Sequence, residues 1–147
     1  MTADGNQLDI AAQAEGWGSL VAVLGCRELG SEDDGDNPRY EEFVFQFEHG
    51  AITVTAMPDD DTVRLSNQGP TLPHRRDLTA IEPWDRLVGS GVLWMWTLTN
   101  QKGYQDGFQL ELGRPGFVWS LQLTCEASSL SAQALTSLGS LTNLLAH

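Results

Sequence analysis

The chain has 147 residues, 41% hydrophobic and 19% charged, which is one globular domain's worth. Its 20 acids against 8 bases give a formal charge of −12, the wrong sign for gripping nucleic-acid phosphates or an anionic membrane. No apolar run reaches the ~18 residues of a membrane span, and Met1, Thr2, Ala3 and Asp4 lack the basic opening of a secretory signal, so a soluble cytoplasmic protein is expected.

Residues 1–16 are polar and alanine-rich, with only Leu8, Ile10 and Ala11 as a weak helical stripe. They read as a flexible N-terminal segment preceding a single domain over 17–147. An apolar run from Leu20 to Leu24, continuing past Gly25 and Cys26, is the first expected strand. Cys26 and Cys125 both sit in apolar segments, as buried free thiols would in a reducing compartment. Residues 30–42 form a loop whose Glu32, Asp33, Asp34 and Asp36 lack the alternating spacing and closing Glu of an EF-hand; a solvated acidic loop is expected.

Phe43, Phe45 and Phe47, then Ile52, Val54 and Ala56, alternate with polar or smaller residues as the two arms of a hairpin. A turn at His49 and Gly50 would set Phe47 against Ile52, Phe45 against Val54 and Phe43 against Ala56. A short strand through Val63 and Leu65 follows the turn at 58–61. Residues 67–82 lack periodicity and read as a connector, with Arg75 and Arg76 paired to nearby acids. Pro83 suits the first position of a short helix that Gly89 stops.

The run 92–98 is apolar on both faces, Leu93 and Met95 against Trp94, Trp96 and Leu98, which predicts a central strand covered on both sides. After a polar turn at 100–107, Phe108, Leu110 and Leu112 pair through a Pro115-Gly116 loop with Leu123, Leu121 and Trp119. From Ser128 the period changes. Leu130, Ala134, Leu138, Leu141 and Leu145 recur at three and four residues, which predicts a C-terminal helix whose uncharged outer face is covered by its own sheet.

The two halves resemble one another. Gly25, Leu29 and Tyr40 recur 64 positions later as Gly89, Leu93 and Tyr104, and Trp17 and Trp84 open each half. The expected fold is therefore α+β: an antiparallel sheet of about six strands in two related hairpin halves, one short helix, and a C-terminal helix packed on one face.

No catalytic constellation assembles, and no cofactor or metal is expected. His49 lies in a turn, His74 in a connector, and His147 ends the sequence, too dispersed for a metal triad or a Ser-His-Asp set. Asp59, Asp60 and Asp61 with His49 supply the enzyme alternative, a metal-dependent hydrolase. An acidic immunity or inhibitor protein, using residues 32–36 with Glu41 and Glu42 against a basic partner, is a second alternative. The strongest signal is aromatic: Trp94, Trp96, Tyr104 and Trp119 cluster around one strand and its turn, and such rings dominate recognition sites. Core packing is the competing explanation for at least two of them. Asn100 and Asp106 are assigned to shaping the turn.

The run Trp84, Leu87, Gly89, Leu93, Trp94, Trp96, Leu98, Asn100, Gln101, Gly103, Tyr104, Asp106, Gly107 and Gln109, with 127–130 reading Ala-Ser-Ser-Leu, resembles a small bacterial family of unknown function common in cyanobacteria. Such proteins are similar in turn to the carboxysome assembly factor CcmS. That resemblance implies a non-enzymatic helper, associated with the carboxysome, whose partner is the tail of a shell subunit. The function expected is a protein-binding or assembly factor taking a peptide or protein partner at its aromatic strand, with no nucleic-acid or membrane partner.

Overall fold

The computed structural model describes residues 10, 13–28, 40–57, 61–126 and 129–134, and the alternating segments among them become nine antiparallel strands. In chain order these are β1 (Leu20–Arg27), β2 (Glu42–Phe47), β3 (Gly50–Met57), β4 (Thr62–Ser66), β5 (His74–Asp77), β6 (Gly91–Thr99), β7 (Gln105–Arg114), β8 (Phe117–Glu126) and β9 (Ser129–Ala134). They form two sheets, ordered β4-β3-β2-β1-β5 (sheet A) and β6-β7-β8-β9 (sheet B). Apart from β5, each sheet is a four-stranded meander in chain order, so the two halves repeat a topology.

Alternation decides which residues meet. Phe43, Phe45, Phe47, Ile52, Val54 and Leu65 of sheet A join Phe108, Leu110, Leu112, Leu121 and Leu123 of sheet B in one buried cluster. β4 packs across onto β7 and β8, and β2 and β3 pack onto β9. Burying each such side chain is worth about 1.5–3 kcal/mol. Ile10, Ala14, Trp17, Trp84 and Leu87 complete the same cluster, so part of the segment expected to be flexible contributes buried side chains. Trp17 lies against Phe47 at 5.7 Å between ring centroids, and Trp84 against Phe43 at 5.3 Å.

Among the described residues, backbone hydrogen bonds stitch the two halves at two places. Leu130 N donates to Tyr40 O at 2.7 Å, while Leu20 N donates to Ser90 O at 2.8 Å and Gly89 N to Leu20 O at 2.9 Å. Two glycines make room for rings. A Cβ on Gly50 would fall within 3.0 Å of three indole atoms of Trp17, and one on Gly25 would meet the Tyr40 ring at 2.8 Å. The matching positions in the second half behave differently: Gly89 has φ +92° beside Arg114, and Tyr104 is exposed.

Several sequence expectations are corrected. The fold is nearly all β in two sheets, not α+β around a sheet of about six strands. Ser129–Ala134, expected to begin the C-terminal helix, is β9, hydrogen-bonded along β8 with Leu130 opposite Cys125 and Ala134 opposite Leu121. Leu130 and Ala134 are four apart, but Leu130, Ala132 and Ala134 also alternate with Ser131 and Gln133. The open ladder of β8 selects that second period, because its backbone groups need partners. Residues 135–147 of that expected helix lie outside the described residues. The short helix after Pro83 is a 3-10 turn, Trp84–Arg86.

The connector contains β5, which pairs with β1 from Leu24 opposite Asp77 to Arg27 opposite His74. The first hairpin turns at Glu48 and His49, setting Phe47 opposite Gly50, Phe45 opposite Ile52 and Phe43 opposite Val54. That is a slip of two residues from expectation, and an even slip keeps every side chain on its face. The second hairpin has the expected register, Leu112 opposite Trp119 and Phe108 opposite Leu123. Finally, β6 is not a covered central strand but the edge of sheet B.

Candidate functional site

β6 reads Gly-Val-Leu-Trp-Met-Trp-Thr-Leu-Thr, and one of its sides pairs with β7. Its other side has no strand partner among the described residues. Met95 lies opposite Leu110 and packs against the core, so Trp94 and Trp96 point outward, opposite Glu111 and Gln109. A register shift between Val92 and Trp94 adds one residue to β6. Leu93 consequently also lies outward, over Gly113, whose added Cβ would meet Leu93 Cδ1 at 2.5 Å. The bulge thus places Leu93 and Trp94 side by side on one face.

That face is bare. Leu93 is 47% exposed, Trp94 63% and Trp96 42%, and the two indoles stack at 6.3 Å with 27° between their planes. Ser120 Oγ donates to Glu111 Oε2 at 3.3 Å, steadying the carboxylate beside Trp94. The strand turns back through Asn100, whose side-chain oxygen accepts from Lys102 N at 2.9 Å and from Tyr104 N at 3.1 Å. Asn100 Nδ2 donates to Asp106 Oδ2 at 3.4 Å. These two side chains fix the turn that carries Tyr104, which is 51% exposed.

The four aromatic residues expected at one surface therefore divide. Trp94 and Trp96 form a pair on the outer face of β6, and Tyr104 stands exposed on the adjoining turn. Trp119 lies on the opposite face, across from Leu112, packed against the core with its buried Nε1 unpaired among the described residues. Trp119 was expected at the partner-binding surface with the other three, and its position against the core corrects that expectation.

The acidic groups divide as well. Glu42 is wholly buried on the outer face of sheet A. Its carboxylate accepts from Thr55 Oγ1 at 2.8 Å, Thr71 N at 2.9 Å, Thr71 Oγ1 at 2.6 Å and Leu72 N at 3.3 Å. A carboxylate so enclosed ties residues 71–72 to the sheet and cannot meet a basic partner. Cys26 lies opposite it; burial, and then the Glu42 charge, push the thiol up to about 11. Residues 32–36, Asp59, Asp60 and His147 lie outside the described residues. His49 occupies the exposed β2–β3 turn, and Asp61 has φ 54°. No group of three or more His, Cys, Asp or Glu able to hold a metal occurs among the described residues. Arg75, expected to pair with acids, instead donates from Nε to Leu72 O at 3.0 Å. No helix among the described residues is long and apolar enough to cross a membrane.

A hollow of about 470 Å³ lies on the outer face of sheet A, floored by Thr53 and Thr55 and walled by Arg64, and no sequence motif announces it. Those residues are scattered polar positions on β3 and β4, and only the fold collects them.

A family model described as a family of unknown function (DUF6334) matches residues 5–139. No curated protein and no solved structure matches the chain.

Proposed function

The chain belongs to DUF6334, a family of unknown function, and from the geometry of β6 we propose that it is a non-enzymatic binding module whose open edge receives an extended segment of a partner protein. The observation that carries this reading is the stacked, exposed pair Trp94 and Trp96 on a strand with one unpaired side among the described residues. An added strand would draw main-chain hydrogen bonds from the edge, and alternate side chains would rest on the indoles. Edge strands are ordinarily blunted by charge or proline. β5, at the edge of sheet A, follows that rule with His-Arg-Arg-Asp, whereas β6 carries no charge and no proline.

A second copy of the chain is the less favoured occupant, since each copy brings a formal charge of −12. The resemblance drawn from the run Trp84 to Gln109 and residues 127–130 supplies the first segment to try, the tail of a carboxysome shell subunit, with the protein acting as its assembly factor in the cytoplasm.

The test is hydrogen exchange and tryptophan emission on the full chain titrated with synthetic shell-subunit tails and with a library of extended peptides. Binding that protects backbone amides of residues 93–98 and is lost in Trp94→Ser/Trp96→Ser supports the reading. Binding that leaves β6 unprotected or survives the double substitution refutes it, as does an absence of any bound peptide. Concentration-dependent dimerisation abolished by the same substitutions assigns the edge to a second copy and also refutes it.

A further inference from the structure

On the outer face of sheet A, opposite side chains form two rows across β2, β3 and β4. Glu42, Thr55 and Arg64 make one, and Val44, Thr53 and Ser66 the other. Residues 68–72 return over these rows, held down where Thr71 and Leu72 donate to Glu42. Between strap and sheet lies the hollow of about 470 Å³, within the size range that small-molecule sites occupy. Met57, Leu72 and Ala56 give it apolar wall; Arg64, Glu28 and Glu41 bring charge.

Two observations mark polar groups at the hollow that the described residues leave unpaired. Thr53 is wholly buried, lines the hollow, and its Oγ1 has no hydrogen-bond partner among the described residues. Such an atom costs about 1–3 kcal/mol unless something within the hollow satisfies it. Arg64 is exposed on the wall, and its guanidinium has no hydrogen-bond or ion-pair partner among the described residues. Glu41 Oε1 accepts from Glu28 N at 3.1 Å, which fixes one carboxylate at the same hollow.

One guanidinium and two carboxylates do not suit a simple anion, which the acids repel, or a simple cation, which Arg64 repels. We propose that this hollow binds a small zwitterion of the amino-acid class, its carboxylate paired with Arg64, its ammonium with Glu41 or Glu28, and a polar atom meeting Thr53 Oγ1. Arginine's planar fork matches a carboxylate bidentately, which gives that end its direction. The site lies on the opposite sheet from Trp94 and Trp96 and stands independently of the peptide reading.

The experiment titrates the isotope-labelled full chain with each of the twenty standard amino acids and follows backbone amide shifts. At least one is expected to give saturable shifts at Thr53, Thr55, Ser66 and Thr71. Its deaminated and decarboxylated analogues should bind at least tenfold more weakly. Arg64→Gln, a substitution at an exposed position, should weaken binding at least tenfold while Trp96→Ser leaves it unchanged. Thr53→Val should weaken binding without lowering thermal stability, because it removes the orphaned hydroxyl. Saturation by none of the twenty, equal binding of either analogue, or an unaltered affinity in Arg64→Gln overturns the proposal.

Discussion

Glu42→Ala is the most informative single perturbation of this fold. Four donors converge on that carboxylate: Thr55 Oγ1 from β3, and Thr71 N, Thr71 Oγ1 and Leu72 N from the strap. Each donor left buried without an acceptor costs about 1–3 kcal/mol. The three strap donors can recover water if residues 71–72 lift from the sheet, so the four costs do not add. Thr55 Oγ1 stays on β3, and lifting forfeits the packing of Leu72. The expected loss is about 3 kcal/mol, within the range for removing one partner of a buried charged cluster, or a fall of ~10 °C in Tm for a domain of this size. Glu42→Gln keeps one acceptor oxygen and should fall between variant and wild type. Urea unfolding measures the loss, and hydrogen exchange at Thr71 and Leu72 locates it, with at least tenfold faster exchange expected at both amides. A loss below ~1 kcal/mol with unaltered exchange at these amides would refute the reasoning.

Other outcomes follow from the same structure. Gly50→Ala should destabilise by about 2–4 kcal/mol in urea unfolding, because a Cβ there meets the ring of buried Trp17. Cys26 should resist iodoacetamide at pH 8 in the folded chain and react once unfolded, since burial and the Glu42 charge push its thiol up to about 11. Hydrogen bonds from the Thr79 side chain and backbone hold the Asp77 carboxyl below its ordinary value. A depressed folded pKa stabilises above the unfolded value and is lost as pH falls through the folded one. The stability difference between wild type and Asp77→Asn should therefore be present at neutral pH and vanish in acid, as denaturation at stepped pH will show. Trp94→Ser/Trp96→Ser should leave Tm nearly unchanged, since both rings face outward.

What the sequence revealed depended on how many signals agreed. Pro115 and Gly116 admit one turn, so the β7–β8 register was readable in full. At the first hairpin, Glu48, His49 and Gly50 admit two turns, and alternation cannot detect a slip of two; the faces were legible and the partners were not. β5 has four exposed residues and no apolar pattern, so only its ladder with β1 makes it a strand. β9 satisfies both periods, and the unpaired edge of β8 decided between them. For the site, the shared face of Trp94 and Trp96 was legible from their spacing. Their exposure was not, because whether a two-faced apolar strand lies at the centre or the edge of a sheet depends on strand order. Glu42 looked like one acid among many, since its neighbours in space come from 29 and 30 positions away.

Among the described strands the chain passes from sheet A to sheet B once, through residues 78–90. During synthesis the whole first sheet therefore leaves the ribosome before any strand of the second exists. Until β7 and β8 arrive, Phe43, Phe45, Phe47, Ile52 and Val54 have only part of their cover, from Ile10, Ala14 and Trp17, the condition in which nascent chains aggregate or recruit holdase chaperones. Slowing translation across the crossing should lengthen that interval and lower the soluble yield.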